Sequence, residues 1–294
     1  MKDLFGIIPY LVSPVDDEGK VKTDVFQRLC SDLIDDGVHG LCVMGSSGEF
    51  PYLSRMQKET LVQAASEVAE GRVPVVAGVA GFSIAEAVEE ASKFVSLGAD
   101  AIVLMLEEYF PLSLQRKALF YKTVAQAVPD TSIIIYSNPK FMHYELTDDV
   151  FGALVDVPNI RYYKEAGGVT GKLLSLSNKY PRRFQIFSAS AHIPLFVSML
   201  GGVGWMAGPA CLIPKQCVQL YNLSKSHQWD EAMSLQKSLW AANEVFVRYG
   251  LTGAVKAGLE HLGYPVGNPI PPLAPVSPEA RLEIARVIDK IRSL

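Results

Sequence analysis

Residues 101–136 read AIVLMLEEYFPLSLQRKALFYKTVAQAVPDTSIIIY and contain the repeating unit that decides the fold. An apolar run, Ala101–Leu106, is followed by an amphipathic segment, Leu114–Val128, and then by a second apolar run, Ser132–Tyr136. Runs that are apolar throughout are typical of parallel strands that are covered on both faces. The unit therefore predicts a strand, a helix and a second strand parallel to the first.

The same unit recurs along the chain as far as Ala207. Amphipathic segments separate eight apolar runs, and the predicted strands are Ile7–Val12, Leu41–Met44, Val73–Val79, Ala101–Leu106, Ser132–Tyr136, Ile160–Tyr163, Gln185–Phe187 and Val203–Ala207. Eight such units predict an α/β fold of the (β/α)8 TIM barrel type. An open, doubly wound sheet is the alternative, but it would require a G-x-G-x-x-G turn after an early strand, which this sequence lacks.

The residues after the eighth strand show helical patterns only. The predicted helices are Lys215–Ser226, Trp229–Tyr249, Gly253–Leu262 and Pro278–Arg292. We therefore divide the chain into a catalytic barrel, residues 1–227, and a C-terminal helical extension, residues 228–294.

The composition is that of an ordinary globular protein, with 49% apolar and 20% charged residues. The net charge is −4 and no basic run is present, which argues against a nucleic-acid partner. No apolar run approaches the roughly 20 residues that cross a bilayer. The first residues also lack the features of a signal peptide. We expect a cytoplasmic protein that binds neither nucleic acid nor membrane.

The cysteines and histidines show no metal-binding or disulfide spacing. Cys30, Cys42, Cys211 and Cys217 each lie in an apolar stretch, so we expect reduced, buried thiols. The five histidines are scattered along the sequence. We therefore predict no metal site and no cofactor. A metal- or phosphate-dependent barrel enzyme stays open as an alternative, because distant histidines can converge in a fold.

Two neighbouring strand ends carry candidate catalytic residues, at the barrel face where such groups lie. Lys164 closes the sixth strand, where burial would lower its pKa and favour the neutral, nucleophilic amine. The alternative is a lysine that reaches solvent or pairs with Glu165. Tyr136 closes the fifth strand, as a proton-transferring phenol or as an aromatic residue that caps the barrel. Their position on adjacent strands strengthens the catalytic interpretation of both.

The loop after the second strand reads Gly45-Ser46-Ser47-Gly48. Its hydroxyls and free backbone N–H groups are suited to hold a carboxylate or a phosphate. The alternative is a simple turn whose serines cap the next helix. Ser54, with Gln57 three residues later, is a better cap for that helix.

Taken together, these motifs resemble those of the dihydrodipicolinate synthase / N-acetylneuraminate lyase family. Residues 45–49, GSSGE, are similar to the family's G-[ST]-[ST]-G-E loop, and Tyr136 with Asn138 and Pro139 resembles its Y-N-x-P strand end. Residues 164–168, KEAGG, are similar to its K-[DE]-x-[ST]-G Schiff-base motif, and residues 255–259, VKAGL, resemble its C-terminal helical region. The resemblance spans nearly the whole chain in order.

This resemblance implies a class I lyase that needs no external cofactor. Lys164 would form a Schiff base with pyruvate or a related 2-oxo acid, and Tyr136 and Ser46 would relay protons. The enzyme would then catalyse an aldol cleavage or condensation, or a dehydration.

Further residues and partners follow from the same resemblance. Ser47 and Gly48 would bind the substrate carboxylate, and Met206 would line the pyruvate pocket. Tyr109 would match a catalytic tyrosine that the family contributes across a dimer interface. An aldehyde as second substrate and a homodimer or homotetramer are also implied.

Departures from the family pattern bear on the substrate. In dihydrodipicolinate synthases proper an arginine follows the catalytic tyrosine by five residues, whereas Phe141 stands here. Residues 188–190 read SAS where Ser-Gly-Asp is expected. The pattern favours a related lyase and leaves 4-hydroxy-tetrahydrodipicolinate synthase as an alternative. A non-catalytic sensor of 2-oxo acids is another alternative, against which the intact Lys164 and Tyr136 argue.

Overall fold

Eight parallel strands form one sheet in the computed structural model, which describes residues 1–138, 142, 146–189 and 194–294. The strands are β1 (Gly6–Pro9), β2 (Leu41–Val43), β3 (Val75–Gly81), β4 (Ala101–Leu106), β5 (Ser132–Ser137), β6 (Ile160–Glu165), β7 (Gln185–Ser188) and β8 (Gly204–Ala207). Each strand from β2 to β8 pairs with the next, and β8 pairs with β1. A bridge between Tyr10 and Cys42 brings β1 and β2 together, so the sheet curls into a barrel.

Helices alternate with these strands and continue beyond β8. Those that the structure describes are α1 (Thr23–Asp35), α2 (Arg55–Ala69), α3 (Ile84–Ser96), α4 (Leu114–Ala127), α5 (Asp148–Leu154), α6 (Thr170–Lys179), α7 (Pro194–Met199), α8 (Pro214–Lys225), α9 (Trp229–Tyr249), α10 (Leu251–His261) and α11 (Pro278–Arg292). Helices α1 to α8 each follow one strand, and α9 to α11 come after the barrel. The predicted (β/α)8 barrel with C-terminal helices is confirmed, and the open-sheet alternative is wrong.

Serine caps fix where several helices begin. The Ser54 hydroxyl accepts a hydrogen bond from the Gln57 backbone N–H, and the Gln57 side chain accepts one from the Ser54 N–H, which is the predicted capping box. Ser83 and Ser113 accept equivalent bonds at the starts of α3 and α4. Each such cap stabilises its helix by about 1 kcal/mol. The loops that precede these helices are therefore held in defined positions at the barrel mouth.

Several element boundaries differ from the sequence prediction by up to three residues, and two of these differences have a clear physical cause. β1 ends at Pro9 rather than continuing to Val12, because the Tyr10 N–H bonds to Ala207 whereas the Leu11 N–H bonds to Cys42. The chain thus leaves the β8 ladder and crosses towards β2. In the extension, α10 begins directly after Gly250, whose positive φ of 82° breaks the helical path at the end of α9.

Alternate strand residues divide the apolar core into two layers. The residues inside the barrel are Ile8, Tyr10, Cys42, Val76, Val103, Ile134, Tyr136, Tyr162, Phe187 and Met206. The residues between them point outward and form the larger layer against the helices. Because the interior is filled with side chains, ligands reach the barrel only at its ends.

The four cysteines are buried and free. Burial raises the pKa of every one of these thiols. They are therefore protonated packing groups and poor nucleophiles. Within the described ranges, no helix is both long and apolar enough to cross a membrane.

Candidate active site

Lys164 and Tyr136 lie side by side at the C-terminal end of the barrel. Tyr136 on β5 stands opposite Lys164 on β6 in the parallel register. Both side chains are buried, with 4% and 3% exposure. The structure thus brings together the two residues that the sequence analysis places at neighbouring strand ends.

The Lys164 amine lies between two aromatic rings. Its Nζ is 3.8 Å from the ring centroid of Tyr10 and 3.9 Å from that of Tyr136. Burial lowers the Lys164 pKa to about 7, an effect that nearby Cys42 only partly opposes. A large fraction of this amine is therefore neutral at physiological pH, as a nucleophile requires.

The alternative interpretation of Lys164, exposure to solvent or pairing with Glu165, is wrong. Lys164 is too buried to reach solvent. The Glu165 carboxylate instead accepts a hydrogen bond from the Tyr163 hydroxyl and lies 3.4 Å from the Lys172 Nζ. Tyr163 belongs to the outer core layer, so Glu165 is engaged on the outside of the barrel.

The Tyr136 hydroxyl accepts a hydrogen bond of 2.9 Å from the Asn138 side-chain amide. Burial raises the Tyr136 pKa to about 12, although interactions with Asn138 and Ser46 oppose the rise. The phenol therefore keeps its proton at neutral pH and is able to donate it. Asn138 was quoted only as part of a motif in the sequence analysis, and the structure assigns it a direct contact with this phenol.

The loop after β2 places its two serines differently. Ser46 lines the cavity that contains Lys164. The Ser47 hydroxyl is fully buried and donates to the Tyr10 carbonyl at 2.7 Å. The Gly48 carbonyl accepts a hydrogen bond of 2.5 Å from the Ser13 hydroxyl. The Ser47 side chain thus holds backbone in place, and its predicted contact with a substrate carboxylate stays a prediction.

A buried ion pair anchors this loop to the C-terminal extension. Glu49 has a positive φ of 57° and its carboxylate lies 2.5 Å from the Lys256 Nζ. The same carboxylate accepts a hydrogen bond of 2.6 Å from the Ile270 N–H. Desolvation raises the Glu49 pKa, whereas the charge of Lys256 opposes that rise. The extension therefore helps to fix the position of Ser46.

Tyr10 is an active-site residue that the sequence analysis missed. Its ring packs on Gly45 so closely that an added Cβ there would lie 2.3 Å from a ring carbon. Its carbonyl accepts hydrogen bonds from Ser47 and from the Cys211 thiol, which fixes the backbone at this point. The sequence analysis missed Tyr10 because the predicted strand continued to Val12. In the structure β1 ends at Pro9, so Tyr10 lies at the strand end, as Tyr136 does.

A cavity of about 230 Å³, the inner chamber, opens beside Lys164. Its walls include Tyr10, Ser46, Asn138, Met206, Phe246 and Leu251. Met206 lies in the wall of this chamber, and its predicted contact with pyruvate stays a prediction. Tyr109 lies away from this chamber: it is 80% exposed in the loop after β4, where its ring contacts Phe110. Its predicted role at a subunit interface stays a prediction.

Two positions at which the sequence departs from the family pattern cannot be placed relative to this chamber. Phe141 and Ser190 fall outside the described residues. Among the residues that are described, no three histidine, cysteine, aspartate or glutamate side chains cluster in a way that could hold a metal ion.

The chain is similar along nearly its whole length to curated proteins that are named 4-hydroxy-tetrahydrodipicolinate synthase. The enzyme of that name from Phenylobacterium zucineum is 30% identical over 282 residues, which cover 95% of this chain and 94% of the relative. The one from Prochlorococcus marinus (strain MIT 9211) is 26% identical over 291 residues, covering 99% and 96%.

Solved structures of similar proteins superpose on nearly the whole chain. Dihydrodipicolinate synthase from Agrobacterium tumefaciens superposes with a TM-score of 0.91 at 25% identity and covers 98% of both chains. CdNal from Clostridium difficile, solved in complex with mannosamine, also gives a TM-score of 0.91 at 25% identity, with 98% and 99% coverage. A family model described as the dihydrodipicolinate synthetase family matches residues 3–291. The resemblance predicted from the motifs, and with it the lyase class, is confirmed: the chain belongs to the dihydrodipicolinate synthetase family.

Proposed function

We propose that Lys164 forms a Schiff base with pyruvate or a related 2-oxo acid in a class I lyase reaction. The observation that carries this proposal is the buried Lys164 amine, whose pKa is lowered to about 7 and which opens onto the inner chamber. A neutral amine next to a proton-donating phenol is the arrangement that imine formation requires.

The first stage joins the substrate to the enzyme. The neutral Lys164 amine attacks C2 of the 2-oxo acid, and the ketone oxygen takes the proton that the attacking nitrogen releases, which gives a carbinolamine. Tyr136 supplies a further proton to that hydroxyl, which leaves as water and yields the iminium. The faces of Tyr10 and Tyr136 lie where they stabilise the resulting positive charge. The Tyr136 phenolate then recovers its proton through Ser46.

The second stage uses the iminium as an electron sink. C3 loses a proton to give an enamine, which attacks an aldehyde or, in a dehydration, expels a hydroxyl group from C4 as water. The reverse of the first route is aldol cleavage. Hydrolysis of the final imine returns the free amine and the product 2-oxo acid.

A second candidate is synthesis of 4-hydroxy-tetrahydrodipicolinate, which the names of the curated relatives support. Its test is condensation of pyruvate with aspartate semialdehyde by the purified protein. Turnover there would identify the second substrate directly. Failure in that assay together with a pyruvate adduct would leave the lyase proposal with another partner.

Assembly and location are further parts of the proposal. Tyr109 and Phe110 are 80% and 74% exposed, and such an aromatic surface supports a contact between subunits in a homodimer or homotetramer. Four free, buried thiols fit the reducing environment of the cytoplasm.

The test is reductive trapping. The protein is incubated with pyruvate, treated with borohydride and analysed by peptide mass spectrometry, with the adduct expected on Lys164. Lys164→Met should lose the adduct and reduce turnover by on the order of 10³-fold or more, as for removal of other covalent nucleophiles. Lys179→Met, at an exposed lysine, is the matched control and should behave like the wild type. An adduct that persists in Lys164→Met would contradict the proposal.

A further inference from the structure

A second cavity, of about 370 Å³, adjoins the inner chamber, and we name it the outer chamber. Ser46 and Leu251 line both cavities, so the two meet at these residues. Together they fall in the size range of small-molecule sites, roughly 300–1,000 Å³. A 2-oxo acid bonded to Lys164 through C2 would extend its distal carbons past Ser46 and Leu251 into the outer chamber.

The outer chamber presents mainly apolar side chains. Its apolar walls comprise Phe50, Pro51, Met105, Met142, Leu251 and Leu273. The two methionines are nearly fully buried and provide flexible, polarizable surface that adapts to the shape of a ligand. Such walls favour an alkyl or aryl group, which gains from removal from water, and penalise a charged one.

The charged residues of the outer chamber also disfavour a charged substrate group. Among its described lining residues the charged ones are Glu49 and Glu107, and none is basic. Glu49 is already bound to Lys256 and to the Ile270 N–H. Glu107 is half-buried, and desolvation raises its pKa. Among the described lining residues, a second carboxylate on the substrate would therefore meet apolar walls and a glutamate rather than a cation.

The uncharged polar groups at the rim are also partly committed. The Tyr249 hydroxyl hydrogen bonds to Glu283 on α11, away from the cavity. Ser46, Tyr52 and Thr252 carry further hydroxyls along the wall. They are suited to a substrate hydroxyl near C4, where an aldol or a dehydration substrate carries one.

We infer that the outer chamber selects 2-oxo acids whose distal end is an uncharged alkyl or aryl group rather than a second carboxylate. This inference rests on the proposed function, because the bond to Lys164 decides which end of the substrate faces the outer chamber. In aldol cleavage the C4 hydroxyl passes its proton through Ser46 to the Tyr136 phenolate, and the C3–C4 bond breaks. The electron pair of the C3–C4 bond passes into the iminium to give the enamine, and the fragment that begins at C4 leaves as an apolar aldehyde.

The experiment compares two 2-oxo acids of equal length in the trapping assay. 2-Oxohexanoate ends in a methyl group, whereas 2-oxoadipate carries a carboxylate at the same carbon. The half-saturating concentration for adduct formation on Lys164 is measured for each, with pyruvate as the reference. We expect a value at least about tenfold higher for 2-oxoadipate than for 2-oxohexanoate, because like charges and apolar walls oppose the second carboxylate.

A charge placed in the wall sharpens the test. Leu273→Lys puts a cation at the rim of the outer chamber, where the wild-type leucine is 37% exposed. It should lower the ratio between the two acids by about threefold or more. Leu282→Lys, at a 66% exposed leucine of α11 outside both chambers, is the matched control and should keep the wild-type ratio.

The outcomes separate the two proposals. Equal or tighter trapping of 2-oxoadipate by the wild type, with pyruvate still trapped, would overturn the selectivity and leave the Schiff-base function intact. A Leu273→Lys protein with an unchanged ratio would overturn the assignment of the distal group to the outer chamber. Absence of any adduct on Lys164, with pyruvate included, would overturn both.

Discussion

Lys164 and Lys256 are both buried lysines, 3% and 1% exposed, and desolvation lowers the pKa of each. They differ in what surrounds the amine. The Lys256 Nζ lies 2.5 Å from a Glu49 carboxylate oxygen and donates to the Asn268 carbonyl at 2.9 Å, whereas the Lys164 Nζ faces two tyrosine rings. The charge of Glu49 opposes the effect of desolvation on the Lys256 pKa, whereas no such carboxylate charge from the described part of the chain opposes it at Lys164. The partner, rather than the burial, separates a structural lysine from a nucleophile.

The largest expected effect tests this contrast through stability. Lys256→Met leaves the Glu49 carboxylate buried without its counter-ion and should lower the free energy of unfolding by about 3–5 kcal/mol. Lys164→Met removes an amine that has no carboxylate partner among the described residues, and it should leave stability equal or higher. Urea denaturation followed by tryptophan fluorescence measures both. Adding Glu49→Gln to Lys256→Met should restore part of the loss, and equal losses in the two single variants would refute the contrast.

The second prediction concerns pH. Since the Lys164 pKa is about 7, its neutral fraction increases as the pH rises, and the rate of imine formation at low pyruvate should increase about tenfold between pH 6 and 8. Trapping with cyanoborohydride across this range measures the rate. A rise of about a hundredfold, as an unshifted lysine would give, would contradict the lowered pKa.

The same shift has a signature in stability. The unfolded chain binds the Lys164 proton more tightly than the folded chain does, because burial lowers the pKa of this amine. The free-energy cost of burying Lys164 is therefore largest below about pH 7. It falls as the pH rises from there towards the pKa of an unperturbed lysine. The wild type should therefore gain stability relative to Lys164→Met as the pH increases from 7 to 9. A constant difference between the two proteins would show that the folded pKa is not lowered.

The smallest expected effect concerns the ring of Tyr10. Tyr10→Leu removes one of the two aromatic faces and should raise the half-saturating pyruvate concentration about fivefold, within the range of a desolvated cation–π contact. Tyr10→Phe retains the ring and should stay close to the wild type. If the phenylalanine variant loses as much as the leucine variant, the hydroxyl rather than the ring face is responsible.

Local patterns predicted much of the fold and the centre of the site. Continuous apolar runs located the strands, and the Ser54 capping box fixed the start of α2. The positions of Lys164 and Tyr136 at consecutive strand ends were enough to place them together, because consecutive strands are neighbours in such a barrel.

Contacts between distant segments could not be predicted in the same way. The pairing of Glu49 with Lys256 depends on how the extension returns over the barrel mouth, which no local pattern encodes. Tyr10 was missed because the exact end of β1 depends on hydrogen bonds to both β8 and β2. The Ser47 hydroxyl looked available for substrate, but the fold brings the Tyr10 carbonyl to it.

The shared walls of the outer chamber have a consequence for how this family can diversify. The nucleophile and the phenol come from barrel strands, whereas Leu251, Leu273 and Ala274 come from the extension. Substitutions in the C-terminal extension can therefore change which substrates are accepted, while the nucleophile and the phenol keep their positions. Lys256 is the exception in the extension, because its substitution would break the ion pair with Glu49 that holds the loop containing Ser46.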